Sequence, residues 1–105
     1  MIKVDLSYHL EQLIHVEISG HAQSNEYGKD LVCAGVSSIA TGIANTLVKH
    51  DFLSQGKIVL REGYIDITVD NVTSENQLIL ETLVISLKGI EDSYGQYIKI
   101  NQKEE

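Results

Sequence analysis

Two short segments near the N-terminus alternate apolar and polar residues with a period of two, and this commits the chain to half-buried β-strands. Ile2, Val4, Leu6 and Tyr8 alternate with Lys3, Asp5 and Ser7, and Ile14, Val16 and Ile18 alternate with His15, Glu17 and Ser19. Successive side chains of a strand point to opposite faces, so each segment needs a covering layer on one side. The polar stretch between them suits a hairpin. Gly20 ends the second strand. The polar segment from His21 to Lys29, with Ser24, Asn25 and Gly28, reads as a loop that can move.

The period then lengthens. Asp30 is a good N-cap, because its carboxylate can accept a free backbone N–H. Val32, Val36, Ile39, Ile43 and Leu47 follow at helical steps and predict one apolar face, with the pattern fading near His50. Ala34, Gly35, Ser38, Thr41 and Gly42 are small enough to let this helix approach a neighbour closely. Ile58 with Leu60, and Ile65 with Ile67 and Val69, predict a second pair of strands joined at Glu62-Gly63. Ser74 and Gln77 form a capping-box pattern ahead of a second helix. Its core face is Ile79, Leu83, Leu87 and Ile90, and Gly89 ends it or lies in its last turn. Tyr97, Ile98 and Ile100 mark a last strand, after which Asn101 to Glu105 is expected to fray.

The order ββαββαβ predicts an α+β fold. It is a two-layer sandwich, a five-stranded mixed or antiparallel sheet with two helices on one face. Residues 1–105 read as one domain, consistent with the chain length. The halves share a strand–strand–helix rhythm without the identity of a repeat.

The formal net charge of −7 argues against a nucleic-acid partner, which would need clustered Lys and Arg. No signal-peptide pattern opens the chain, and the hydrophobic segments read as interrupted by charge. The expectation is a soluble, cytoplasmic protein without membrane contact. A single cysteine excludes an intramolecular disulfide and a cysteine-based zinc finger.

That cysteine sits in a suggestive place. If Asp30 caps the helix, Cys33 lies in the first turn, where free N–H groups and the macrodipole favour a thiolate. His21 lies at a strand end, one loop earlier, and such an end often faces the same rim as the next helix start. Residue chemistry alone leaves two readings open: a nucleophile with its base, or a small core filler and a loop histidine.

Gly20-His21-Ala22, followed by Gly28-Lys29-Asp30-Leu31-Val32-Cys33-Ala34-Gly35-Val36-Ser37, resembles the ribosomal-processing cysteine protease family, Prp. That family carries Gly-His-Ala, a flexible loop, then Gly-x-Asp-x-Val-Cys-Ala, a short residue and Val-Ser or Val-Thr. The resemblance extends to the element order over nearly the whole chain. It implies a cysteine endopeptidase with a catalytic dyad of His21 and Cys33, and a homodimer. It also implies a substrate: the N-terminally extended large-subunit ribosomal protein number twenty-seven, whose extension is removed in support of ribosome assembly. No cofactor or metal is expected.

Around the dyad, Asp30 and Ser37 are supporting candidates, and Gly20, Ala22 and Ala34 are candidates for substrate contact. Asp30 caps the helix or orients His21. Ser37, one turn beyond Cys33, lines the site or bonds back to its own helix. The free amides of the first helical turn are candidate oxyanion donors. The loop from Ala22 to Lys29 closes over an extended peptide or is plain surface. The peptide adds to a sheet edge or lies in an apolar groove. Two rival functions stand beside this one. His9, His15 and His21 recur at six-residue steps and with Cys33 would make a metal site, though none has the close spacing of known zinc ligands. A non-enzymatic ribosome-assembly binding module would leave Cys33 inert.

Overall fold

The computed structural model describes residues 1–20 and 27–105, with residues 27–30 described by backbone alone. Strands β1 (Ile2–His9), β2 (Gln12–Ser19), β3 (Gly56–Arg61), β4 (Tyr64–Val69) and β5 (Ile98–Glu104) form one sheet in the order β3-β4-β2-β1-β5. Helices α1 (Tyr27–Lys49) and α2 (Ser74–Tyr94) complete the predicted ββαββαβ order, with a 3₁₀ turn at Phe52–Ser54. The sheet is mixed: β1 and β5 are parallel, and the other neighbours are antiparallel.

One face of the sheet and both helices share a single core. Ile2, Val4, Leu6, Val16, Ile18, Ile67 and Ile98 pack with Val32, Val36, Leu47, Leu80, Leu83 and Leu87, all nearly inaccessible to water. Burial of this apolar area is the main force holding the layers together.

The register departs from simple alternation in β2. Ser7 faces His15, but Tyr8 faces Leu13, so Ile14 is an extra residue in the ladder. A bulge of this kind flips the side-chain faces beyond it. Leu13 therefore joins the core, while Ile14, expected there, is only half-buried. The backbone of Leu13 bonds to a side chain instead. Its N–H donates to Gln77 Oε1 at 2.9 Å, and its carbonyl accepts from Gln77 Nε2 at 2.8 Å.

Gln77 is thus not the capping residue. Thr73 is the N-cap of α2: its hydroxyl accepts from the Asn76 amide at 3.0 Å, and Asn76 Oδ1 accepts from the Thr73 amide at 3.1 Å. The predicted box is displaced by one residue because Thr73 and Asn76 make the same reciprocal pair. α2 runs through Gly89 to Tyr94, and its buried face centres on Leu80, Leu83, Val84 and Leu87.

Three further expectations are corrected. α1 starts at Tyr27, so Asp30 is its fourth residue and not its cap. Its buried face is Val32, Val36, Ala40, Ala44 and Leu47, and the two alanines provide the close approach expected of Ala34, Ser38 and Gly42, which are exposed. Leu31–Lys49 is also, by length and composition alone, apolar enough to cross a membrane; here its buried side is part of the core. The C-terminal residues do not fray. β5 pairs with β1 as far as Tyr8↔Glu104, and the Glu105 amide donates to the Tyr8 carbonyl at 2.7 Å.

The β1–β2 loop is two residues long, and both have positive φ, Leu10 at 49° and Glu11 at 67°. This is a type I′ turn, which favours Asn-Gly, and a left-handed side-chain-bearing residue costs about 1–2 kcal/mol. The double variant Leu10→Asn/Glu11→Gly is expected to stabilise the fold by about 1 kcal/mol, read as a raised urea midpoint at unchanged slope.

Candidate functional site

β2 must end in a glycine. Gly20 has φ of 95°, and a Cβ there would lie 2.5 Å from the Met1 carbonyl oxygen. Its amide donates to the Gly63 carbonyl at 3.1 Å, which ties the end of β2 to the β3–β4 hairpin. Gly63 is itself left-handed, φ 70°, as the second residue of that turn.

These constraints form one side of a cavity of about 600 Å³. Gly20, with Ile2 and Ile18, contributes the strand ends. Cys33, Val36, Ser37 and Thr41 contribute one side of α1. The hairpin from Leu60 to Ile65 closes the far wall. The volume is in the range of small-molecule and peptide side-chain pockets. Cys33 is half-buried and packs against the core beside Val32 and Val36, which are buried. A thiol at such a place is held by rigid backbone yet borders open space.

Of the sequence candidates, Gly20, Cys33 and Ser37 line this cavity together. Ala34 is exposed and lies outside its lining. His21 and Ala22 fall outside the described residues, and Asp30 is placed by its backbone alone. Cys33 is the seventh residue of α1, not a first-turn residue. In a regular helix its amide is therefore given to the carbonyl four residues earlier and is not one of the free N–H groups. The wall formed by Arg61, Glu62 and Tyr64 was missed. Glu62-Gly63 signalled a turn, but nothing local signals what the turn stands against.

The histidines do not converge as a metal reading requires. His15 Nε2 lies 2.9 Å from Asp66 Oδ2, and His9 Nδ1 lies 2.9 Å from the Glu105 carbonyl oxygen. Among the described residues, no three His, Cys, Asp or Glu side chains are grouped to hold a metal ion.

His15 and Asp66 belong instead to a network on the sheet face away from the helices. Tyr64 OH donates to Glu17 at 2.8 Å and to Asp66 at 3.1 Å, and Thr68 donates to Asp66 at 3.1 Å. The Tyr64 hydroxyl is pushed up to about 12, first by its bond to Glu17, then by burial and by Asp66. Burial works against ionisation of Asp66. The bond and charge of His15, with the Thr68 and Tyr64 bonds, outweigh it and hold the carboxyl below its ordinary value of 3.8.

Residues 1–99 match the sequence profile of the family described as Cysteine protease Prp. The chain belongs to that family. A Ribosomal processing cysteine protease Prp of Staphylococcus aureus is 36% identical over 108 residues, covering 98% of this chain and 100% of the relative. The Bacillus subtilis protein of the same name is 30% identical over 98 residues, covering 88% of each. The solved structure of the essential ribosomal processing protease Prp from S. aureus with a substrate peptide superposes with a TM-score of 0.85 at 36% identity, over 98% of this chain and 100% of that one. This Prp family member is a cysteine protease of the ribosomal-processing kind, with the family's mixed five-stranded sheet and two helices.

Two predictions follow from this geometry. Gly20→Ala combines a left-handed φ with a clash against the Met1 carbonyl, so it is expected to cost at least about 2 kcal/mol in denaturant unfolding. The lowered Asp66 value means that its network stabilises the folded state above the ordinary aspartate value and loses that contribution as pH falls through the folded one. Asp66→Asn should therefore be less stable than wild type at neutral pH, and the gap in unfolding midpoint should narrow as pH drops below about 4.

Proposed function

We propose that this chain is a cytoplasmic endopeptidase that removes the N-terminal extension of large-subunit ribosomal protein number twenty-seven. In this reading Cys33 is the nucleophile and His21 the base. The observation that carries it is the placement of the only cysteine in the sequence. A cysteine protease needs one, and Cys33 borders the same cavity as Gly20, the residue directly before His21.

Cys33 Sγ attacks the scissile carbonyl carbon and forms a tetrahedral intermediate. The C–N bond then breaks, His21 gives its proton to the leaving amine, and a thioester remains. His21 next takes a proton from water, whose oxygen attacks the thioester, and the thiolate leaves with release of the acid product. Acid–base help of this kind is worth about 10²–10⁴ in rate. Two structures of one relative support a covalent route on peptide substrates. The S. aureus protease has been solved with a substrate peptide and also with a covalently linked product peptide.

Ser37 and Gly20 border the reacting region in this scheme. In the same reading Ala22 is a contact for the bound peptide, and Asp30 sits within the helix that carries the nucleophile. Ala34, exposed on α1, would reach substrate only outside the cavity. The working form is a homodimer, as the family resemblance implies, and neither a cofactor nor nucleic acid takes part in the reaction.

The test uses a synthetic peptide spanning the junction between the extension and the mature start of that ribosomal protein. Wild type is expected to cut once, at the junction. Cys33→Ala is expected to abolish cutting, and His21→Ala to reduce it by about 10²-fold or more. Undiminished cutting by either variant overturns the dyad.

A further inference from the structure

The sheet has two edges, β3 and β5. Only β3 contributes residues to the cavity that contains Cys33, through Leu60 and Arg61. The direction of its backbone groups follows from bonds at both ends of β4. The Gly20 amide donates to the Gly63 carbonyl, so Gly63, and by alternation Ile65 and Ile67, turn their backbone groups toward β2. The Asp70 amide donates to the Gln55 carbonyl at 2.9 Å, so the even positions of β4 turn toward β3. The bonded pairs with β3 are then Arg61 with Tyr64, Val59 with Asp66 and Lys57 with Thr68. Ile58 and Leu60 are left with their amides and carbonyls directed away from the sheet.

We infer that the substrate peptide binds as a sixth strand on β3, pairing with the backbone of Ile58 and Leu60. This rests on the protease reading above and says how the peptide reaches Cys33. The two residues are about 7 Å apart along the strand, the repeat at which an added strand exchanges hydrogen bonds. Leu60 joins that pairing edge to the cavity, so a peptide laid along β3 runs directly past the cavity mouth. Val59 and Leu60 are 39% and 45% exposed, which leaves the edge accessible. Lys57 and Arg61 put charge on the same strand, a common guard against indiscriminate edge pairing. Backbone pairing is indifferent to side chains, so strand addition holds the peptide extended while the cavity reads only the side chains nearest the cut.

Amide exchange tests this one residue at a time. The ¹⁵N-labelled Cys33→Ala chain is saturated with the uncut junction peptide, and exchange is followed by NMR. Ile58 and Leu60 are expected to slow by about tenfold or more, while Lys57, Val59 and Arg61, already bonded to β4, stay unchanged. Wild-type cutting of the same peptide is measured alongside. Cutting with unchanged exchange at Ile58 and Leu60, or with slowing on β5 instead, overturns strand addition and leaves the protease reading standing. Failure to cut or to bind overturns the protease reading and the inference that rests on it.

Discussion

The hydrogen bond from Gly20 to Gly63 is the constraint on which the site depends. It joins the end of β2 to the β3–β4 hairpin and so brings a wall of six residues opposite α1. Gly20 is not free to vary, and Gly63 sits where glycine is favoured. Gly20 has no room for a side chain beside the Met1 carbonyl, and Gly63 holds the left-handed turn that places its carbonyl on the β2 side. The same bond sets the alternation of β4 and therefore decides which backbone groups of β3 remain unpaired. One backbone contact thus determines the shape of the cavity and the character of its neighbouring edge.

Much of this molecule was legible in its sequence because its strands alternate cleanly. Ile2, Val4 and Leu6 fall on one face, as read, and so do Val16 and Ile18. The motif around Cys33 identified the family and the helix that carries the thiol. What escaped were features set by contacts distant in sequence. The extra residue at Ile14 is invisible to a period count, because Leu13 and Ile14 are equally apolar; the choice between them is made by the ladder with β1 and by Gln77 reaching over from α2. The cap of α2 slipped by one residue because Thr73-Asn76 and Ser74-Gln77 are near-equivalent signals. The parallel partner of β5 lies almost a hundred residues away, so the last residues resembled an ordinary tail.

The site divides the same way. Cys33, Gly20 and Ser37, which line the cavity, could be singled out from their neighbours in sequence, while His21 lies outside the described residues. Arg61, Glu62 and Tyr64 could not, since their place in the cavity wall comes from tertiary pairing and not from any local pattern. The start of α1 was misjudged for a related reason. Asp30 has the chemistry of a cap, but a helix begins wherever packing can hold its first turn, and here it begins three residues earlier.

The titratable network and the cavity lie on opposite faces of the sheet and meet at Tyr64. The outer face carries the titratable network of His15, Asp66, Tyr64 and Glu17, whose bonds span β2 and β4. The inner face carries the core and, at one end, the cavity with Cys33. Proteolysis asks the nucleophile to stay still while a peptide comes and goes. In the proposed mechanism Cys33 meets the first need by sitting between Val32 and Val36, whose burial fixes the helix beneath it. The second need falls on backbone at the margin of the sheet, where pairing can be made and broken without disturbing the core. A rigid helix set against a sheet edge that is paired on one side only satisfies both requirements.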